Sequence, residues 1–336
     1  MVKTTSPTAD LVSGKGLYMT KDRRITVAVL MGGVSSEREV SLHSGQGVVN
    51  ALRAAGFEVI PCVLDTADIS CLDASGADVA FIALHGEFGE DGRIQALLEE
   101  AAIPYIGSGP RASADALDKL ITKHKFLAAG VPTAPFLVFD HAPDAAETKS
   151  VFDKLGPRVV VKPVAQGSSI GVSIVSRDGF ADAAEDAIRF DGRIIIEPFI
   201  KGREFTVGVI GDEALPIIEL KPHRDFFDYT AKYQYGETDY IVNPDLPAGV
   251  AENITKAALD AFHCLACRDL ARIDIMIDEA GDCFVLEANT IPGFTETSLV
   301  PMAAKAVGCD FPQLCRRLVE MALEHCTAAS SPGSAD

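Results

Sequence analysis

Apolar and polar positions divide the chain into three blocks. In the first, residues 25–31, 59–64 and 78–84 are rich in β-branched and other apolar side chains, with helix or turn signals between them. Runs with so little polar alternation predict strands that are largely buried, as in a small α/β sheet. Ser36 and Glu39 have capping-box spacing, so a helix is predicted to start near Glu37. The second block has helix periodicity at 117–127 and 145–155 and strand runs at 136–139, 159–162, 171–175, 194–199 and 205–210. Many strands with two helices predict an α+β arrangement. In the third block, 217–220, 273–277 and 284–286 predict strands, and 252–268 and 311–325 predict helices. Between them, 223–244 is polar and aromatic and too long for an ordinary connection, which is the mark of a lid.

The expected organisation is a flexible leader (1–24), a first α/β unit (25–116), a second unit (117–210), a third unit (211–326) containing the lid 223–244, and a flexible tail (327–336). A chain of 336 residues with 48% hydrophobic content can bury more than one core. No apolar run approaches the roughly 18 residues that span a membrane, and residues 1–24 lack the apolar stretch of a secretory signal. A cytoplasmic protein without a membrane partner is therefore expected. The formal net charge of −18 argues against a nucleic-acid partner, although a local pocket can still be basic. The eight cysteines are scattered through apolar segments, which suits buried reduced thiols. Cys264 and Cys267 form a lone C-x-x-C without a second pair at zinc spacing.

The strongest chemical signal is Arg272-Ile-Asp274 followed by Glu287-Ala-Asn289. Alternation puts Arg272 and Asp274 on one face of a strand, and Glu287 and Asn289 on one face of the next. If the strands pair, two carboxylates, an amide and a guanidinium surround one point. That oxygen set suits magnesium shared with nucleotide phosphates. The plain alternative is a polar strand face with a surface ion pair, but the flanking Ile273, Ile275, Val285 and Leu286 demand burial.

Other signals are weaker alone. Lys162 closes a strand and leads into Gly167-Ser168-Ser169, a loop whose N–H groups can wrap phosphate oxygens, or which is simply a hairpin turn. It is not a Walker-type phosphate loop. Glu197 and Glu204 flank Lys201-Gly202-Arg203, with Phe199 and Ile200 beside them. This reads as either the ribose and adenine edge of a nucleotide pocket or a charged hairpin. Gly32-Gly33 and His85-Gly-Glu-Phe-Gly89-Glu90-Asp91-Gly92 follow strands. They fall where α/β sheets place ligands, and Glu37 there could hold a substrate ammonium. Lys232-Tyr233 lies in the expected lid.

In this order the motifs resemble the D-alanine–D-alanine ligase family of the ATP-grasp superfamily, from about residue 25 to 326. The resemblance rests on Gly32-Gly33-Val-Ser-Ser-Glu-Arg-Glu-Val-Ser41, His85 to Gly92, Asp118-Lys119 and Lys162 with Gly167-Ser168-Ser169. It rests further on Glu197 with Glu204, Ala231-Lys232-Tyr233, Arg272-Ile-Asp274, and Glu287 to Thr295 with Ser298-Leu299-Val-Pro301. It implies a three-domain ATP-grasp fold, with nucleotide held between the central and C-terminal domains.

Site roles follow from the resemblance alone. Glu37 is similar to the glutamate that binds the first D-alanine's ammonium, with Ser168 and Tyr233 as its hydrogen-bonded partners. Lys119, Lys162 and Lys232 resemble the phosphate-binding lysines. Ser169, Ile200, Glu197 and Glu204 fall with the nucleotide. Asp274, Glu287 and Asn289 resemble magnesium ligands, for two ions that manganese can replace. Arg272 and the Gly293 backbone resemble oxyanion stabilisers. Ser298 and Leu299 resemble the second substrate's carboxylate pocket, and His85 lines the substrate site. D-Alanine and ATP are the implied small-molecule partners, and the resemblance is compatible with a homodimer. Two departures stand out: Gln95-Ala96 where the family often has Gln-Gly, and Ala165-Gln166 where it often has Arg-Glu. Rival readings are a ligase taking D-lactate or D-serine second, another ATP-grasp carboxylate–amine ligase, and a non-catalytic nucleotide-binding module.

Overall fold

The computed structural model describes residues 19–20, 23–72, 75–223 and 238–329. Strands β1 (Met19–Thr20) and β2 (Arg23–Arg24) pair antiparallel. Part of the expected leader is thus strand; so short a pairing rests on backbone bonds and leaves no apolar pattern to read. Strands β3 (Thr26–Gly32), β4 (Glu58–Leu64) and β5 (Val79–Ile82) form a parallel sheet with β3 in the middle. As expected of a central parallel strand, β3 is buried beyond Thr26. Helix α1 (Arg38–Ala54) buries Val48, Val49 and Leu52 against it. The expected capping box is absent. Ser36 is exposed and no side chain caps α1, while the Glu37 N–H donates to Ser35 Oγ. Helix α2 (Arg93–Glu100) follows.

The helix predicted at 117–127 is two helices, α3 (Pro110–Leu117) and α4 (Lys119–Ala129). Asp118 breaks them with an extended backbone and caps α4 by accepting from the Leu120 and Ile121 N–H groups. Strand β6 (Leu137–Phe139), helix α5 (Ala145–Leu155), strands β7 (Val159–Pro163) and β8 (Ser173–Val175), helix α6 (Phe180–Asp191) and strand β9 (Ile194–Pro198) build an antiparallel sheet of order β6-β9-β7-β8. The sequence reading missed α6. Phe180, Ala183, Ala184 and Ala187 have helical spacing, but alanines give a weak apolar signal. Val159, Val161, Ile194 and Ile196 pack against α5 and α6. Lys162 and Glu197 alternate onto the opposite face.

The third sheet has order β13-β12-β10-β14-β15, from β10 (Gly202–Ile210), β12 (Ile218–Pro222), β13 (Thr238–Val242), β14 (Leu270–Asp278) and β15 (Cys283–Asn289), with β11 (Glu213–Ala214) beside β10. Strand β13 occupies the end of the stretch expected to be all lid; its alternation is short and one-sided, with Tyr240 and Val242 packed inward. Helix α7 (Val250–Cys264) packs on Phe205, Val207, Ile273, Ile275 and Val285. It stops before the predicted 268, although the apolar period continues. Ala266 turns left-handed at φ 56°, and the Cys267 N–H closes the end on Phe262 O. Helices α8 (Leu299–Ala306) and α9 (Phe311–Ala329) complete the chain, and α9 runs three residues into the expected tail. Leu314 and Leu318 of α9 share one core with Val27 and Val29 of β3 and with Ile210 and Leu270 of the third sheet, joining the first and third sheets. Among the described residues no helix is long and apolar enough to cross a membrane.

Candidate active site

Strands β14 and β15 pair in the register that the motif reading required: Asp274 lies opposite Glu287 and Arg272 opposite Asn289. Ile275 pairs with Val285, so Leu286 is an extra residue at a bulge. The apolar alternates face α7, which drives the polar set onto the other face with Thr206 of β10 opposite Asp274. Asp274 is 5% exposed, and four donors surround its carboxylate. Arg272 Nε and Nη2 reach Oδ1 and Oδ2 at 2.9 and 2.7 Å, Thr206 Oγ1 reaches Oδ1 at 2.6 Å, and Asn289 Nδ2 reaches Oδ2 at 3.1 Å. A nearly buried carboxylate is tolerable only with such pairing.

The donor set fits magnesium. Among the described residues no three His, Cys, Asp or Glu side chains gather as a metal cage. A cation here would be held by two carboxylates and one amide oxygen, leaving positions for waters and phosphate oxygens, as magnesium prefers. Turning the Asn289 amide over would remove a donor from Asp274 and present an oxygen instead.

The loop between β7 and β8 faces this group. The strands form a hairpin, so the turn reading also holds, but Ser168 and Ser169 both adopt left-handed backbone, at φ 51° and 58°. Lys119 opens α4 and its Nζ donates to Gln166 O at 2.5 Å, while its N–H donates to Val164 O. Glu90, Lys119, Gln166, Gly167, Glu287 and Asn289 line one cleft, so the turn after β5, the start of α4, the loop after β7 and strand β15 all contribute to it. Lys162 instead donates to Glu197 Oε2 at 2.9 Å.

The charged-hairpin reading of Glu197 and Glu204 is corrected. Strand β9 carries Glu197 in the second sheet, whereas β10 carries Glu204 in the third. The half-buried Ile200 lies in the crossing between them. Local spacing resembles a hairpin, but the strands find other partners: β9 pairs with β6 and β7, and β10 with β12 and β14. Glu197 is fully buried among ammoniums. Burial would raise its pKa, but Lys162 and Lys123 outweigh that and hold it below the usual range.

Glu37, at the N-terminus of α1, is 5% exposed and accepts a hydrogen bond from the Ser168 hydroxyl. Gly86 explains part of the glycine-rich turn. It has φ +68°, and a Cβ there would meet the Ser35 hydroxyl and lie 2.8 Å from Glu37 Oε2. His85 is buried, with Nδ1 3.2 Å from Ile291 O and Nε2 3.1 Å from Ser44 Oγ. A carbonyl only accepts, so Nδ1 carries the proton and Nε2 accepts from Ser44. Glu90 Oε1 lies 3.7 Å from His85 Nδ1, and burial raises the Glu90 pKa despite this neighbour.

Ser298 precedes α8 and Leu299 opens it. The Ser298 hydroxyl accepts from the Thr295 N–H at 2.9 Å, and a Cβ on Gly293 would approach it to 3.6 Å. Lys232 and Tyr233 lie outside the described residues, as does 224–237 of the expected lid. Cys264 and Cys267 are free at the end of α7, and burial pushes their thiols up to about 11 and about 12. Sequence reading did not single out Lys123, Ser44 or Thr206. Nothing in their local spacing sets them apart from their neighbours, and only the tertiary fold reveals their partners.

Known proteins place this architecture. A family model described as "D-ala D-ala ligase C-terminus" matches residues 126–320, and one described as "D-ala D-ala ligase N-terminus" matches 26–74 and 72–108. The chain is 44% identical over 307 residues to a D-alanine–D-alanine ligase of Geotalea uraniireducens, covering 90% of this chain and 98% of that protein. It is 46% identical over 300 residues to one of Pseudoalteromonas translucida, covering 88% and 97%. Among solved structures, the D-alanine–D-alanine ligase from Bacillus anthracis complexed with ATP superposes with a TM-score of 0.80 at 33% identity, covering 91% of this chain and all of that one. With these matches along nearly its whole length, the chain belongs to the D-alanine–D-alanine ligase family.

Proposed function

We propose that this chain joins two D-alanine molecules at the expense of ATP, supplying D-alanyl-D-alanine for peptidoglycan in the cytoplasm. The observation that carries the reading is the Arg272, Asp274, Glu287 and Asn289 set on one face of β14 and β15, beside a cleft that Lys119 also lines. A carboxylate is a poor electrophile. Transfer of the γ-phosphoryl group from ATP to the first D-alanine's carboxylate gives an acyl phosphate and ADP. The second D-alanine's amine, after losing a proton, attacks the acyl carbon, and phosphate leaves as the C–N bond forms.

Glu37 holds the first ammonium, and Ser168 orients Glu37. Lys119 and Lys162, with Lys232 from the stretch 223–244, hold phosphate oxygens. Ser169 and Ile200 line the nucleotide site with Glu197 and Glu204. Arg272 and the Gly293 N–H stabilise the oxyanion, where preorganised donors act most strongly. Ser298 and Leu299 receive the second carboxylate, and His85 lines the substrate site. Asp274, Glu287 and Asn289 would hold magnesium, two ions in all with manganese as a substitute, which when bound offsets phosphoryl charge. Shelter of the acyl phosphate from water is assigned to the part of 223–244 that precedes β13, with Tyr233 meeting Ser168. The proposed domains are 25–116, 117–210 and 211–326, although β10 (Gly202–Ile210) crosses the second boundary to pair in the third sheet, and a homodimer is compatible with this reading.

The test is ATP-dependent phosphate release with D-alanine, D-lactate or D-serine as second substrate, with product mass measured. D-Alanyl-D-alanine formed at the highest kcat/KM supports the reading. A depsipeptide or D-alanyl-D-serine as the preferred product would replace it.

A further inference from the structure

Lys123 is a buried charge that this mechanism leaves without a task. It lies on α4, one turn beyond Lys119, and is 1% exposed. A buried ammonium is costly unless its charge and its donors are satisfied. Two donors go to the Thr133 hydroxyl at 2.8 Å and the Ala134 carbonyl at 3.0 Å. Its charge faces Glu197 Oε1 at 3.3 Å, and the Phe136 ring centroid lies 5.3 Å away. These contacts commit Lys123 to the protein, unlike the phosphate-binding role proposed for Lys119 and Lys162.

Glu197 completes the arrangement. Lys162 donates to its Oε2, but Oε1 has no hydrogen bond among the described residues, because the Lys123 ammonium is within ion-pair range and off the hydrogen-bonding line. A buried carboxylate oxygen without a donor is incomplete, and while ionised it can only accept. Thr133 extends the link by donating to Val285 O at 3.0 Å, and the Val285 N–H donates to Pro132 O. Lys123 therefore ties Glu197 to β15, the strand that carries Glu287 and Asn289.

We propose that Lys123 is the positioning residue for recognition of the nucleotide base: it keeps the Glu197 carboxylate charged and turned so that Oε1 accepts from an exocyclic amino group. The inference rests on the reading of Glu197 as a nucleotide-binding acid. An amino-bearing edge, as in adenine, completes Oε1. A carbonyl at the same place, as in hypoxanthine, sets acceptor against acceptor. Without Lys123, Glu197 is buried beside one cation instead of two, takes up a proton more readily, and can then donate to that carbonyl.

The experiment compares ATP and ITP as substrates for the full chain carrying Lys123→Met, which keeps the length of the side chain and removes its charge. The KM for ATP rises about tenfold, as expected for losing one hydrogen bond to a charged group, and the preference for ATP over ITP falls by about the same factor. The kcat and the KM for D-alanine stay near the parent values. The double variant Lys123→Met, Glu197→Gln matches Glu197→Gln alone in KM for ATP, because Lys123 acts through Glu197. Independent, multiplying effects would make Lys123 a structural residue only and overturn the proposal, as would an unchanged KM and base preference in folded Lys123→Met. If Lys123→Met fails to fold, Thr133→Val, which removes one anchor of the ammonium, shifts both quantities the same way by a smaller factor. No shift there overturns the proposal. A Glu197→Gln variant with the parent's KM for ATP would remove the reading of Glu197 itself, and the proposal with it.

Discussion

The guanidinium of Arg272 grips the carboxylate of Asp274 through two parallel hydrogen bonds, two residues along the same strand. Extended backbone makes this possible: both side chains leave the same face of β14, and the shorter one meets the planar fork of the longer. The proposed oxyanion donor and the proposed metal ligand are therefore paired to each other. Charge supplied near Asp274 would compete with that grip and free Arg272 for substrate.

Arg272→Ala is expected to lower ligation by about 10²- to 10³-fold, the usual loss when an oxyanion donor is removed. It also removes two of the four donors around Asp274, so stability falls by about 1–3 kcal/mol. Steady-state rates and thermal unfolding read the two effects. Turnover within a few-fold of the parent would remove the catalytic role.

Glu287→Gln keeps the shape of the side chain and removes one charged oxygen from the proposed magnesium set. The magnesium concentration for half-maximal activity should rise by about tenfold, with a matching loss in manganese affinity measured by electron paramagnetic resonance. A magnesium titration superimposable on the parent's would remove Glu287 from the set.

Gly86→Ala tests the close approach at the end of the first sheet. Gly86 has φ +68°, and its Cβ would lie 2.8 Å from Glu37 Oε2. The strained backbone alone costs about 1–3 kcal/mol, and the displaced Glu37 should raise the KM of the first D-alanine subsite. Denaturant unfolding and subsite kinetics check this. A stable variant with unchanged kinetics would mean that the turn absorbs the methyl group.

The polar face of β14 and β15 could be read from sequence because strand alternation and apolar neighbours together leave no other placement for Asp274 and Glu287. The bulge at Leu286 could not, since one extra residue changes nothing in composition. Glu197 and Glu204 show a deeper limit. Their spacing is that of a hairpin, and only long-range pairing sends β9 and β10 to different sheets. Lys123 was invisible for a related reason: one of three lysines on a short helix looks exposed until the helix is seen packed beside Thr133, Ala134 and Glu197.

Glu219 gives the clearest pH dependence. Arg203 donates to both of its oxygens at 2.8 Å, and this pairing, first among the causes, holds its pKa below the usual 4.5. A carboxylate with a depressed folded pKa contributes stability above its unfolded pKa and loses that contribution as pH falls through the folded one. Stability should therefore decline below about pH 4.5 in part through Glu219. Glu219→Gln should lower stability at pH 7 by about 1 kcal/mol and flatten the acid limb, read by urea unfolding at several pH values. An acid limb as steep as the parent's would assign that limb to other carboxylates.

Ser168 and Glu37 join the loop after β7 to the start of α1, and this contact makes the substrate site depend on two separate sheets. Glu37 is nearly buried and accepts a hydrogen bond from the Ser168 hydroxyl. A substrate ammonium would add a charge of opposite sign. Glu37→Gln keeps a hydrogen-bond acceptor for Ser168 but removes that charge, so the KM for the first D-alanine should rise by about tenfold or more while the second subsite changes little. Ser168→Ala keeps the charge and removes the donor, so its effect on the first subsite should be smaller. In Glu37→Gln, Ser168→Ala the two losses should not multiply, because Ser168 acts on the first subsite through the Glu37 carboxylate that Glu37→Gln has already removed. Equal effects of Glu37→Gln on both subsites, or full multiplication in the double variant, would separate Glu37 from the first D-alanine and leave the Ser168 bond as a device that only closes the loop.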